Sequence, residues 1–157
     1  HRAICNAKNQ GVIFAVAAGN DSADAYGSTP AAYDDAVITV SATDINDDWA
    51  GFSNWGNGSA SWTSHQSAPV AIAAPGANIL STKSGGGTTT MSGTSMAAPH
   101  VAGVLALYLE SISLNPDGSA FGAARDWLLY NSESNANLTN TTGQPHQEDF
   151  LNAEISK

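Results

Sequence analysis

The sequence predicts an α/β fold, a layered fold with a mostly parallel sheet flanked by helices. Three observations carry that expectation. Residues 12–18, Val-Ile-Phe-Ala-Val-Ala-Ala, form a continuous apolar run without alternation, the pattern of a strand buried on both faces. Two further strand-like segments, Ala36 to Ala42 and Val70 to Ala74, are set well apart from it along the chain, and strands spaced this way pair in parallel through crossovers. The stretch from Met96 to Glu110 is apolar nearly all round, apart from a proline, a histidine and a glycine, and reads as a helix running through the interior.

Each element follows from local chemistry. Arg2 to Gln10 reads as the end of a helix, with Gly11 where a left-handed C-terminal cap belongs. The first strand stops at Gly19-Asn20 and the third at Pro75-Gly76. Asn78 to Thr82 and Thr88 to Ser92 flank Lys83-Ser84-Gly85-Gly86-Gly87 as a hairpin. The central helix begins at Ser95 or Met96. Ser119 to Tyr130 is an amphipathic helix with Phe121, Ala124, Trp127 and Leu128 on one side, and a short C-terminal helix is expected to hold Phe150, Leu151 and Ile155. Three strands and a hairpin leave an incomplete sheet, whose open edge is expected to need a cover or to promote dimerisation. With no repeat and no linker, residues 1–157 read as one unit.

Composition narrows the function. Of 157 residues only 12% are charged, and 5 Lys plus Arg stand against 14 Asp plus Glu, a net charge of -9. Five scattered cations cannot build the basic stripe that nucleic acid requires, and the same deficit excludes an anionic membrane surface. No apolar run approaches the roughly eighteen residues of a membrane span. The one cysteine, Cys5, excludes an internal disulfide or a thiolate-rich zinc site; it reads as a small buried hydrophobe, or as half of a disulfide to a segment outside the chain.

The chemistry concentrates in residues 93–103, Gly-Thr-Ser-Met-Ala-Ala-Pro-His-Val-Ala-Gly. A serine opening a helix has unpaired N–H groups and the positive end of the dipole beside it, both favouring a nearby anion. Pro99 lacks an N–H and clashes with the carbonyl four residues back, so regular bonding cannot begin much before Ser95. Small residues at 93, 97 and 98 leave room for a peptide. The plain alternative is that Ser95 only caps the helix. His100 is not its base, because five residues at about 100° each separate the two side chains by some 140°; it reads as a buried histidine bonded to backbone. Asp44, His65 and Ser95 stand in a triad-like order, but order without geometry carries nothing. A lipase elbow fails because Ala97 occupies its second glycine position, and a phosphate loop fails because no glycine precedes Lys83 in the needed pattern.

Residues 93–103 resemble, over eleven consecutive positions, the nucleophile signature of the subtilisin-like serine peptidases, the subtilases. Val16-Ala17-Ala18-Gly19-Asn20 resembles the strand end that carries that family's oxyanion asparagine. Ser53-Asn54 after Phe52, Ala74-Pro75-Gly76 before Ile79 to Thr82, and Leu151-Asn152-Ala153 are similar to further landmarks, in family order. The resemblance implies that Ser95 attacks a peptide carbonyl while the Asn20 amide and the Ser95 N–H hold the oxyanion, with Thr94 beside them. It implies that Ala17, Ala18 and Gly19 wall part of the substrate pocket, and that Met96 is an oxidation-prone neighbour of the nucleophile. It also makes Asp44 a candidate calcium ligand, although calcium wants six to eight oxygens and no cofactor is needed for the chemistry; Asp47 and Asp48 read as surface charges.

The family's other two triad elements, an aspartate in Asp-Ser/Thr-Gly and a histidine in His-Gly-Thr-His, do not occur among these residues, and His1, His65, His100 and His146 all lack that context. In the family both precede the asparagine segment. The resemblance therefore implies the C-terminal half of a secreted endopeptidase domain, acting on polypeptides, partnered by its N-terminal half and inactive alone. The alternative is a peptide-binding pseudoenzyme that has lost its base. Residues 54–69 are longer than the simplest subtilases carry and hold Trp55, Trp62 and His65, reading as an inserted loop pinned by its tryptophans or as a rim for substrate. The glycosylation triplets at Asn20, Asn57, Asn137 and Asn140 carry little weight.

Overall fold

The computed structural model describes residues 1–56, 69–113 and 115–152. His65, Trp62, Asn57, most of the expected inserted loop, and Ala153 and Ile155 lie outside the described residues.

The elements run α1 (Arg2–Lys8), β1 (Ala15–Ala17), β2 (Ile38–Thr43), β3 (Val70–Pro75), β4 (Ile79–Thr82), β5 (Thr88–Met91), α2 (Thr94–Ser111), α3 (Ser119–Tyr130) and β6 (Asp149–Phe150). The main sheet has the order β1-β2-β3-β6 with every neighbouring pair parallel, so the α/β layered fold expected from the unalternated strands is the one observed. β4 and β5 form the expected antiparallel hairpin, Ile79 opposite Met91 and Thr82 opposite Thr88. Gly11 closes α1 at φ +84°, as expected. No helix among the described residues is long and apolar enough to cross a membrane.

The core explains the registers. Ile38, Val40 and Ala42 of β2 and Ile72 and Ala74 of β3 meet Ala97, Val101, Val104, Leu105 and Tyr108 of α2, with Phe121, Ala124 and Leu128 of α3 closing the layer. Trp127 stacks on Tyr108 at 4.2 Å. The alternate β2 residues, Thr39, Ser41 and Thr43, face the other side and are buried too. There Glu148 gathers the Ser41 hydroxyl, the Trp49 indole N–H at 3.2 Å, the His146 Nδ1 at 2.7 Å and the Gln147 N–H at 3.0 Å. That set of donors satisfies a carboxylate that burial would otherwise penalise, and it fastens the C-terminal segment to the sheet.

Three expectations require correction. α2 is not enclosed: its buried residues follow helical spacing along one face, whereas Pro99, Ala102, Gly103, Ala106 and Leu107 are exposed. Phe150 lies in a strand and not in a helix, because its backbone pairs with Ala73 of β3 and exchanges hydrogen bonds with Glu133 at 2.8 and 2.9 Å; Leu151 follows, donating its N–H to Ala73 O at 2.9 Å. Cys5 is half-buried with its sulfur directed at polar groups, Sγ lying 3.3 Å from His1 Nε2, so it is not a core hydrophobe. Asp48, read as a surface charge, does lie at the surface, where it accepts the Thr141 N–H at 3.0 Å and the Thr141 hydroxyl and pins the loop before β6.

Candidate active site

The carboxyl ends of β1, β2 and β3 converge on the start of α2, the position where parallel sheets place their ligands. At β1 the chain turns through Gly19, whose φ of +112° is one that residues with side chains rarely adopt. A Cβ there would stand 2.3 Å from the Asn54 Nδ2. Asn54 is fully buried and holds this turn together. Its Oδ1 accepts the N–H groups of Asp21 (2.8 Å) and Ala23 (3.1 Å), its Nδ2 donates to Ala18 O (3.1 Å), and its own N–H donates to Gly19 O (2.9 Å).

At β2 and β3 the link runs through Gly76. Its N–H donates to Thr43 O at 2.9 Å, and its carbonyl accepts the Gly93 N–H at 2.8 Å. A Cβ on Gly76 would lie 2.6 Å from the Ala42 Cβ and 2.9 Å from Gly93 O, so only glycine lets β3 and the α2 start approach so closely.

The helix starts one residue earlier than expected. Gly93 is its N-cap, Thr94 its first residue and Ser95 its second, so Ser95 is not the cap. Its position in the first turn leaves its N–H without an intrahelical acceptor, and its side chain is exposed. Thr94, fully buried, ties the helix to β1: its N–H and its hydroxyl both donate to Asn20 Oδ1, at 2.8 and 3.0 Å, and the hydroxyl accepts the Gly19 N–H at 3.1 Å. With Oδ1 so engaged, the orientation of the amide is fixed and Nδ2 is left as the outward donor. A side chain at 93 would begin 3.5 Å from that nitrogen, which places the amide over the helix start. An N–H pair and a hydroxyl therefore share one exposed corner, an arrangement able to stabilise an oxyanion beside a nucleophile.

Of the residues singled out in the sequence, Gly19, Asn20, Thr94 and Ser95 come together here. Ala17 ends β1 and is half-buried. Ala18 does not reach a surface pocket: it is fully buried in a small cluster with Ala25, Ala31 and Val70, its N–H donating to Val40 O at 3.0 Å and its carbonyl accepting from Asn54. His100 is exposed rather than buried, although its Nδ1 donates to Met96 O at 2.9 Å as expected of a backbone-bonded histidine. A cavity of about 300 Å³ beside Ser95 is lined by Ile79, Leu80 and Ser81 of β4 and by Met96, Pro99 and His100; the hairpin was expected from the sequence, but its place beside Ser95 was not.

Asp44 lies apart from this corner. Its Oδ1 accepts the N–H groups of Asn46 (2.8 Å) and Asp48 (3.2 Å) and its Oδ2 the Asn46 amide (3.2 Å). The Asn46 N–H is the largest influence and holds its carboxyl below the ordinary value; burial opposes it, and the Asp48 N–H and the Asn46 amide add to the lowering. Among the described residues it joins no cluster of three metal-ligating side chains, and a carboxylate engaged in its own turn fits a calcium site poorly.

Residues 1–149 match the Subtilase family. The chain is 48% identical over 115 residues to Subtilisin-like protease 4 of Trichophyton rubrum, covering 73% of this chain and 25% of that protein. It is 49% identical over 115 residues to Subtilisin-like protease 1 of Arthroderma otae, covering 72% and 21%. Among solved structures, a cold-adapted subtilisin-like serine proteinase superposes with a TM-score of 0.78 at 34% identity, over 99% of this chain and 50% of that one. A prenylagaramide maturation protease gives 0.70 at 28%, over 97% and 52%. The chain thus spans about a quarter or less of the curated relatives and about half of the solved ones. With residues 1–149 matching the family model and relatives at 48 and 49% identity over most of the chain, the chain belongs to the subtilase family.

Proposed function

We propose that residues 1–157 are the nucleophile-bearing half of a secreted serine endopeptidase domain. The observation that carries this reading is the double anchoring of Asn20 Oδ1 by Thr94, which leaves the amide nitrogen over the helix start beside Ser95. In the proposed reaction Ser95 Oγ attacks the carbonyl carbon of a peptide bond, and its proton passes to a base. The oxygen of the tetrahedral adduct takes the negative charge and receives hydrogen bonds from Asn20 Nδ2 and the Ser95 N–H. Collapse expels the amine, which takes up the proton, and leaves an acyl ester on Ser95 that water then cleaves.

No histidine among the described residues is placed to act as that base. The remainder of the domain supplies it, together with its aspartate, and the same remainder covers the open edge of β1 and the exposed apolar face of α2. Ala17 and Gly19 form one wall of the pocket for the residue before the cleaved bond, with Ala18 packed behind them. The acidic, weakly charged surface suits an extracellular enzyme.

The test compares this chain with the longer polypeptide extending upstream of His1, each assayed on casein. The longer protein is expected to hydrolyse casein and to lose that activity on Ser95→Ala, while the chain alone is inert. An inactive longer protein without the aspartate and histidine elements, yet able to bind peptides, would favour the pseudoenzyme; an active isolated chain would refute the half-domain. Calcium at Asp44 carries no step here. A melting midpoint raised by Ca²⁺ and insensitive to it in Asp44→Asn would support that site, and an unchanged midpoint would remove it.

A further inference from the structure

Away from the active site, the structure brings three different metal-ligating side chains to one point. His1 and Cys5 lie one helical turn apart, the Cys5 N–H donating to His1 O at 3.0 Å, so their side chains share a face. Asp35, in the segment before β2, comes to meet them. The separations are 3.3 Å between Cys5 Sγ and His1 Nε2, 2.8 and 3.1 Å from His1 Nε2 to the two Asp35 oxygens, and 3.9 Å from Cys5 Sγ to Asp35 Oδ2. All the ligand atoms fall within 4.8 Å of one another, and this is the one such group among the described residues.

A catalytic relay does not explain this arrangement. A cysteine–histidine–aspartate relay uses both ring nitrogens, one toward the thiol and one toward the carboxylate, whereas here a single nitrogen, Nε2, faces both. Convergence on one point is what a metal ion requires. Tetrahedral Zn²⁺ with ordinary bond lengths sets its ligands at about 3.6 Å for S···N, about 3.3 Å for N···O and about 3.5 Å for S···O. The observed edges depart from these by a few tenths of an ångström, within the reach of small side-chain rotations. The scaffold holds the approach: Lys8 Nζ donates to the Asp35 carbonyl at 2.8 Å, leaving the carboxylate free of it, and the His1 ring packs on Tyr33 at 4.6 Å. His1 and Asp35 are exposed and Cys5 is half-buried, so an ion can enter and a water can complete the fourth position.

We propose that His1, Cys5 and Asp35 form a Zn²⁺ site that clips α1 to the segment before β2. Thiolate, imidazole and carboxylate together suit zinc better than calcium or magnesium.

The test is a Co²⁺ titration of the reduced full chain, followed by Zn²⁺ displacement. Because the chain has a single cysteine, a thiolate-to-cobalt charge-transfer band can arise only from Cys5. The expected result is that band together with visible bands of tetrahedral cobalt, saturating at one ion per chain and bleached by Zn²⁺. Cys5→Ser should abolish the charge-transfer band, and Asp35→Asn should weaken binding by more than the roughly 10- to 100-fold that loss of an outer-shell partner costs. No charge-transfer band at saturating Co²⁺, Co²⁺ binding undiminished in Cys5→Ser, or binding unaltered in Asp35→Asn would each overturn the site.

Discussion

At the scale of single residues, what the sequence exposed and what it hid differ by burial. Ser95 and Asn20 were legible because they sit in an unbroken motif and at a strand end. The residues that hold them were legible only in part. Thr94 read as a neighbour, yet its hydroxyl joins Gly19 to Asn20, and Asn54 read as a landmark although it fixes the whole turn. A buried asparagine satisfied by residues 18–23, more than thirty positions upstream, leaves no local pattern, because its partners are distant in sequence. Asn20→Ala in the intact protein is expected to lower kcat with little change in KM; in subtilisin itself, loss of such a donor costs on the order of 10² to 10³ in turnover. Steady-state kinetics on a peptide substrate decide it. Asp44 gives a pH prediction. Its folded carboxyl titrates below the ordinary value, so its stabilisation is fully present above the unfolded pKa and is lost as pH falls through the folded one. Urea unfolding should show Asp44→Asn less stable than the parent near neutrality, with the two converging in acid once the folded carboxylate is protonated.

At the scale of elements, the span of α2 was read closely and its burial was not, while β1 is shorter than its apolar run and only half-buried, as an edge strand. β2 and β3 appear within a residue or two of their expected bounds because their sequences suit burial on both faces. α2 was misjudged for a physical reason: apolar composition reports what a surface can be covered by, not whether its cover belongs to the same chain. Phe150 failed for the opposite reason, since two residues of parallel pairing set by β3 outweigh any local helical preference. The tightest junction between elements is Gly76, where β3, the end of β2 and the helix cap meet. Gly76→Ala must displace Gly93 or Ala42, and overpacking of this kind costs about 1–3 kcal/mol. The expected outcome is a lower urea midpoint at unchanged slope, and in the intact protein a fall in kcat as the helix start moves away from Asn20.

At the scale of the whole molecule, the proposed half-domain makes the exposed face of α2 and the free edge of β1 two parts of one boundary. Leu107, 55% exposed on that face, separates folding from assembly. Leu107→Glu should change the stability of this chain by less than about 0.5 kcal/mol, as surface substitutions generally do, while sharply reducing the yield of active enzyme from the longer protein. Equal activity of the two longer proteins would mean that α2 faces solvent in the intact enzyme as well. The bond between Thr94 and Asn20 joins residues 74 positions apart, across the two parallel crossovers that set β1, β2 and β3 side by side. Contacts of such long range form late, after the intervening loops have been closed. A nascent or partly folded chain therefore carries Ser95 without an oriented Asn20 amide, and the corner proposed to hold the oxyanion is assembled only once the three strands lie side by side.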